Sequence, residues 1–426
     1  MTIAVFLFSL LGAMALGMPI AFALLVCGAA LMYQLNMMDA QIIAQNLIAG
    51  ADSFPLMAAP FFLLAGEVMN AGGLSKRIVN VALTIVGHVR GGLGYVVILA
   101  SCILAALSGS AVADAAALSA LLYPMMVKAG HNPGKSAGLI AAGGIIGPII
   151  PPSIGFIVFG VAAGLSISKL FLAGIVPGIL IGTGLAVAWW WEVRKEEIVR
   201  PPKASPREVV GALVEGGWAL ALPGISIFGL KFGIFTPTEA GVVCAVYALF
   251  VAMFIYKELK WKDVFGVFVT AAETTAIVMF LVAAALVSAW LITVAELPGQ
   301  VTALLQPFMG SPMLLMIAMQ VLVVIVGTAL DMTPTILILT PILMPIVKQA
   351  GIDPVYFGVL FIINNAIGLI TPPVGVVLNV VCGVSRISME DIIKGVWPFM
   401  IAQLIVLFLL ILFPILVTGP AAWFAG

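Results

Sequence analysis

Eight pairs of glycines and prolines recur along this chain at one fixed spacing, and no other feature constrains the fold as strongly. Pro124 and Pro345, Gly130 and Gly351, Pro133 and Pro354, Gly147 and Gly368, Pro151 and Pro372, Pro152 and Pro373, Gly174 and Gly395, and Pro177 and Pro398 each lie 221 residues apart. Both residue types are common, so one or two matches would mean little. Eight at a single offset mark an internal duplication. Two of the paired stretches, 147–152 and 368–373, interrupt otherwise apolar runs. Proline removes a backbone donor and clashes with the preceding turn, so a helix must unwind at both places.

The apolar runs themselves point to a bilayer. Of 426 residues, 63% are hydrophobic and 8% charged, against ~25% charged in soluble domains, and the mean hydropathy is +1.26. One crossing takes about 20 apolar residues, so this length holds roughly ten to a dozen. The 18 basic and 18 acidic residues cancel, leaving no basic domain for nucleic acid. Cys27, Cys102, Cys244 and Cys382 stand singly without CxxC spacing, and His88 and His131 are the only histidines. A disulfide scaffold, a zinc site and a soluble enzyme are all excluded. No charged leader precedes the first apolar run, so no cleaved signal peptide is expected.

Crossings are expected within 2–34 (two, divided at Gly17-Met18-Pro19), 55–72, 135–163, 167–193, 213–233, 237–256, 267–295, 355–383 and 395–418. The runs 91–128 and 301–347 are too long for one crossing and too short for two with a loop. Each has a small, polar break, Ser108-Gly109-Ser110 and Gly327-Thr328, which fits a re-entrant helical hairpin. Such broken backbone is tolerated at depth only against protein or a water-filled cavity. The predicted fold is an all-α polytopic membrane protein of two repeats. The first covers 1–193, with hairpin 91–128 and broken helix 135–163; the second covers 213–426, with hairpin 301–347 and broken helix 355–383. Five crossings and one hairpin per repeat make the second repeat inverted, because five is odd. Placing the N-terminus outside puts fifteen of the Lys and Arg residues on the cytoplasmic side and leaves Lys169, Lys231 and Lys348 on the other. The hydrophilic stretch 194–212 then becomes a cytoplasmic linker. Inverted repeats with paired broken helices are the pattern of secondary transporters, with the site at the repeat interface.

Two carboxylates fall at membrane depth beside the hairpin breaks, Asp114 and Asp331. Under the offset, Asp114 lies opposite Thr335 and Asp331 opposite Ser110, so each tip carries one carboxylate and one hydroxyl in exchanged positions. Carbonyls, hydroxyls and one carboxylate suit a small cation such as sodium; capping of a restarted helix is the plainer role and is compatible with it. Asn364 and Asn365 precede the second break, Ser153 follows the first proline pair, and Thr371 precedes the second. With Thr333 and Thr335 near the second tip, these offer oxygens to substrate or simply interhelical hydrogen bonds. Glu67, Glu239 and Glu273 could relay protons or sit near a surface, with helix-start capping the simpler role for Glu239. Residues 130–136 imitate a phosphate loop but are one residue short and lack the preceding strand.

Together, residues 17–23, 108–114, 147–152 and 365–375 resemble the large membrane subunit of tripartite ATP-independent periplasmic (TRAP) transporters, and the resemblance runs along essentially the whole chain. Overall similarity looks closest to the sialic-acid branch. The resemblance implies an elevator-type ion transporter fold and sodium-coupled import of an organic acid without ATP across the bacterial inner membrane. It implies sodium as the only metal and no other cofactor. Two partners follow from it: a periplasmic substrate-binding protein and a small four-span membrane subunit forming a heterodimer. It places ion sites at the tips and facing broken helices, here Ser108, Gly109, Ser110, Asp114, Gly147 and Pro151, and Gly327, Thr328, Asp331, Gly368 and Thr371. Substrate contacts are expected from Ser153, Thr333, Thr335, Asn364 and Asn365. A C4-dicarboxylate TRAP importer and a stand-alone sodium/dicarboxylate symporter are the alternatives. An intramembrane aspartyl protease would need a GxGD-type context, whereas Ala111-Val112-Ala113 precede Asp114 and Thr328-Ala329-Leu330 precede Asp331. A channel would need a continuous polar pore, and the chain has two local polar breaks.

Overall fold

A computed structural model describes residues 2–194, 196 and 202–425, and those residues form helices without a strand. Thr2–Ala15 (α1), Ile20–Gln34 (α2), Ala40–Ala51 (α3), Ala58–Ala71 (α4) and Leu74–Val86 (α5) lead into the first hairpin, Gly92–Ser108 (α6) and Ala111–Lys128 (α7). Pro133–Gly144 (α8) and Ile154–Ala163 (α9) are the two halves of the first broken helix, and Ile167–Val193 (α10) closes the repeat. Pro206–Lys231 (α11), Pro237–Phe250 (α12, continued by a π turn to Ile255), Trp261–Val294 (α13) and Leu297–Leu305 (α14) precede the second hairpin. That hairpin is Pro312–Gly327 (α15) and Met332–Gln349 (α16), followed by the broken helix Pro354–Gly368 (α17) and Val376–Ser385 (α18), then Met389–Leu412 (α19) and Ile415–Ala425 (α20). Among the described residues, eight helical segments are each long and apolar enough to cross a bilayer.

The duplication is visible in the helix starts. α7 and α16 begin and end 221 residues apart, at 111 and 332 and at 128 and 349. Their N-caps are the paired positions Ser110, whose Oγ accepts from the Ala113 amide, and Asp331, whose Oδ1 accepts from the Met332 amide. Asn132 caps α8 and Asp353 caps α17 at the same offset, each accepting from the amide three residues on. A capping side chain satisfies one of the four free amides of a helix start, so these residues fix where each helix restarts.

Packing crosses between the repeats. α18 lies on α7 and α9 on α16; α8 lies on α19 and α10 on α17. The α8–α19 crossing is close enough to exclude side chains: a Cβ on Gly138 would fall 2.6 Å from the Gly395 carbonyl carbon, and one on Gly395 would collide with the Gly134 carbonyl. This interleaved body is flanked by a second group in which α13 packs on α2 and α3, α12 on α4, and α11 on α5. The two groups meet where α13 touches α16 and where α4 and α5 touch α6.

Several boundaries differ from expectation. The second hairpin starts at Pro312, not 301, because Leu297–Leu305 is a helix of its own and Ser311 caps the new one. α11 starts at Pro206 instead of 213, so the linker is shorter than 194–212. Ser205 and Glu208 form a capping box there, which nucleates the helix within polar sequence. Lys195, Arg200 and Pro201 of the linker lie outside the described residues. The run 395–418 is two helices divided near Pro414. α3 and α5 were not anticipated, since a search for uniformly apolar runs passes over amphipathic helices. α5 buries Leu74, Ile78, Val79 and Ala82 while Lys76 stays exposed.

The end of α10 is tied to the first hairpin. The Trp189 indole N–H donates to the Gly91 carbonyl at 2.8 Å, and His131 lies against the Trp189 ring. His131 Nδ1 is 3.4 Å from a Glu196 oxygen. Burial holds the His131 pKa below its ordinary 6.5, outweighing the Glu196 carboxylate, which pulls the other way. A folded-state pKa below the unfolded one means the unfolded chain binds more protons in that window. Stability is therefore complete above pH 6.5 and falls as pH drops through the window toward the folded pKa. The melting temperature in detergent should fall between about pH 7.5 and about pH 5.5, and His131→Gln should flatten that part of the profile.

Candidate functional site

Both hairpin tips end on the backbone of a broken helix. At the first, Gly109 has φ +61°, and a Cβ there would lie 2.5 Å from the Pro152 carbonyl. The tip thus rests directly on the Pro151-Pro152-Ser153 break, whose proline–proline bond is cis. Asp114 is 4% exposed. Its Oδ1 accepts from Ser108 Oγ at 2.5 Å, and that hydroxyl also accepts from the Ser110 amide. Its Oδ2 is buried and has no hydrogen-bond partner among the described residues. It faces Gly147, where a Cβ would stand 2.7 Å away. Ser108, Gly109, Ser110, Asp114 and Gly147 therefore converge. A buried carboxylate oxygen without a donor is costly, and cation ligation is chemistry that would use it.

The second tip repeats the geometry with different chemistry. Gly327 faces Gly368 so closely that a Cβ on Gly368 would be 2.8 Å from the Gly327 carbonyl oxygen. Asn365, fully buried, donates through Nδ2 to the Met332 carbonyl at 3.0 Å, and its Oδ1 faces Gly327 with no donor among the described residues. Asn364 donates to both the backbone and side-chain oxygens of Gln320, at 2.6 and 2.8 Å, and its own Oδ1 also has no partner among the described residues. Asp331 is exposed, with Oδ1 engaged in capping. The two carboxylates thus differ: one is buried with an open oxygen, the other caps a helix at the surface.

The remaining sequence-predicted residues are placed unequally. Ser153 Oγ donates to the Pro148 carbonyl and accepts from the Phe156 amide, so it holds the first break in shape. Thr335 donates to the Asp331 carbonyl, Thr328 to Ile325 and Thr371 to Ile367, leaving those hydroxyl protons committed to backbone. Thr333 is half-buried on the first turn of α16. Met332 and Gln320 escaped sequence analysis. Met332 links the halves, since a Cβ on Gly155 of the first break would lie 2.9 Å from its sulfur. Gln320 is an amide inside an apolar run, which is a signal that could have been read; nothing in the sequence distinguishes Met332.

The family described as "Tripartite ATP-independent periplasmic transporter, DctM component" matches residues 7–416. The chain belongs to this family. Over 423 residues it is 57% identical to the 2,3-diketo-L-gulonate TRAP transporter large permease protein YiaN of Escherichia coli K12, covering 99% of this chain and 100% of that one. Against the sialic acid TRAP transporter large permease protein SiaM of Vibrio cholerae, identity is 37% and coverage 96% of both. The Alcanivorax borkumensis YdaH transporter shares the fold at TM-score 0.63 and 16% identity, over 88% of this chain and 89% of that one. This DctM-family chain is a multi-pass membrane transport protein rather than an enzyme, and its two repeats are inverted with respect to each other. The identities do not favour the sialic-acid branch that overall sequence similarity suggested.

Proposed function

We propose that this chain carries an organic acid into the cell across the bacterial inner membrane, coupled to sodium, with its N-terminus in the periplasm. The observation that carries this reading is Asp114 Oδ2, buried and undonated at a tip seated on broken-helix backbone. A monovalent cation there would neutralise the one buried charge. The first ion site would comprise Ser108, Gly109, Ser110, Asp114, Gly147 and Pro151. The second would use Gly327, Thr328, Asp331, Gly368 and Thr371, with the open Asn365 oxygen beside them. Ser153, Thr333, Thr335, Asn364 and Asn365 are offered to the substrate. The tight tip-to-break contacts favour hairpins and broken helices moving together, as an elevator, against the α1–α5 and α11–α13 group.

A sugar acid of the 2,3-diketo-L-gulonate kind is the substrate class we favour over sialic acid, because 57% identity to a permease named for the former exceeds 37% to one named for the latter. A periplasmic binding protein would deliver it, and a small four-span subunit would brace the flanking group as a heterodimer. The test is uptake into proteoliposomes holding this chain and its small subunit, with the binding protein added outside and an inward sodium gradient. Labelled 2,3-diketo-L-gulonate should accumulate, with N-acetylneuraminate and succinate well below it. Accumulation of either of those two instead overturns the substrate class. Full uptake without the binding protein overturns the tripartite reading, and uptake indifferent to sodium overturns the coupling.

A further inference from the structure

The first hairpin and the second broken helix share a cavity that the ion and substrate sites above do not use. It lies between α7, from Ser119 onward, and the C-terminal end of α18, and has a volume of about 640 Å³. Ser119, Tyr123 and Lys128 wall it on one side and Val384, Ser385 and Arg386 on the other. Ordinary small-molecule pockets span ~300–1,000 Å³, so the size suits a metabolite. Two hydroxyls in the wall are idle. Ser119 is 1% exposed and Ser385 half-buried, and each encloses an Oγ with no hydrogen-bond partner among the described residues. The Arg386 guanidinium is exposed at the rim and makes no ion pair or hydrogen bond among those residues either.

Arg386 also stands where the fold calls for glycine. α9 and α18 have ten residues each, and both end on a residue in the left-handed region, Gly164 at φ +67° and Arg386 at φ +54°. The two positions are equivalent although 222 residues apart, because one residue separates Pro152 from α9 and two separate Pro373 from α18. Glycine takes this conformation without a Cβ penalty and arginine does not, so ending the helix does not account for the guanidinium. An uncovered face of α18 leads from the break to the cavity. Pro373, Val374, Asn379, Gly383 and Arg386 are all exposed, and the helix between is about 14 Å long. The donors gathered at its end select one chemistry. A guanidinium offers parallel N–H groups that match a carboxylate, the two serines offer O–H groups that lack an acceptor, and Lys128 adds a second positive charge. An uncharged polyol would leave both cations unmatched.

We propose that this cavity is a release station for the transported acid, whose carboxylate is held by Arg386 with Ser119 and Ser385 after it leaves the hairpin tips and before it enters the cytoplasm. This rests on the import reading above. The probe is D-gluconate, a sugar carboxylate, set against sorbitol, its uncharged counterpart. Val384→Cys places a thiol in the cavity wall at a position 42% exposed, and its reaction with N-ethylmaleimide in the purified protein is read at that residue by peptide mass spectrometry. In sodium-free buffer D-gluconate should slow the labelling and sorbitol should not. Arg386→Gly should raise the half-protecting concentration about tenfold or more, Arg386→Lys by less, and Ser119→Ala several-fold. Neither Arg386→Gly nor Ser119→Ala should lower the melting temperature, since one relieves a left-handed arginine and the other removes an enclosed hydroxyl without a partner. A purely structural role for these side chains gives the reverse pattern, a lower melting temperature with protection unchanged. In proteoliposomes Arg386→Gly should lower the maximal uptake rate several-fold and leave the apparent sodium affinity as it was. Labelling indifferent to D-gluconate, equal protection by sorbitol, or an unchanged half-protecting concentration in Arg386→Gly overturns the site. Protection that requires sodium assigns the effect to the hairpin tips and overturns it as well. Protection with an unaltered maximal rate makes the cavity a site for a regulating acid and overturns the release role. If 2,3-diketo-L-gulonate is not taken up while D-gluconate still protects, the substrate class falls and the carboxylate site stands.

Discussion

Asp114→Asn should lower the apparent sodium affinity of uptake by about ten- to a hundredfold, corresponding to the ~1.5–3 kcal/mol that a charged hydrogen-bonding or ligating group typically contributes. The variant keeps the Oδ1 that accepts from Ser108, so the tip should hold its shape and the melting temperature should move little. What it loses is the negative charge at the open Oδ2, 2.7 Å from where a Gly147 Cβ would be. Asp331→Asn should behave differently. Its side chain is exposed and caps α16, and asparagine caps about as well as aspartate, so its sodium dependence should shift several-fold at most. Uptake measured against sodium concentration in proteoliposomes checks both. Equal shifts in the two variants would overturn the distinction between the tips, and no shift in Asp114→Asn would remove the first ion site.

The second large effect concerns stability. Gly395→Val should destabilise the protein by about 3 kcal/mol or more, seen as a loss of folded yield in detergent, because overpacking a tight interface typically costs ~1–3 kcal/mol and here the obstacle is backbone. A Cβ on Gly395 meets the Gly134 carbonyl of α8, which is part of a helix and cannot rotate aside. Gly217→Ala and Gly224→Ala on α11 are the controls. Among the described residues nothing lies within 4 Å of either Cβ position, and alanine in a helix is favoured over glycine by up to ~1 kcal/mol. Those variants should melt at or above the temperature of the parent.

How much of this was legible beforehand varies with the kind of signal. The breaks at 147–152 and 368–373 could be read because proline forbids helix whatever surrounds it. The first hairpin, expected at 91–128 and found as α6 and α7, could be read because its turn residues interrupt a uniformly apolar run. α5 and α14 were missed because their burial is one-sided and depends on neighbours that sequence does not identify. At the site, residue types pointed to Asp114 and Asp331 equally. Only packing separates them, since the first is enclosed by Gly147 and Ser108 while the second sits at an exposed restart. Asn364 and Asn365 were legible as amides beside unwound backbone, but not that each would donate to the second hairpin and leave its oxygen free.

The α8–α19 crossing also sets a timetable for biogenesis. Gly138 and Gly395 touch across the repeats, yet 257 residues separate them in the chain. At roughly 5–20 residues per second of synthesis, α8 leaves the ribosome about 13–50 s before its partner exists. Through that interval its bare glycine face and the open first break must be held by lipid, by the insertion machinery or by a non-native contact. Ribosomes stalled short of residue 395 should therefore display an inserted but unpacked first half, accessible to protease at the 145–153 break, and that access should close once α19 has emerged.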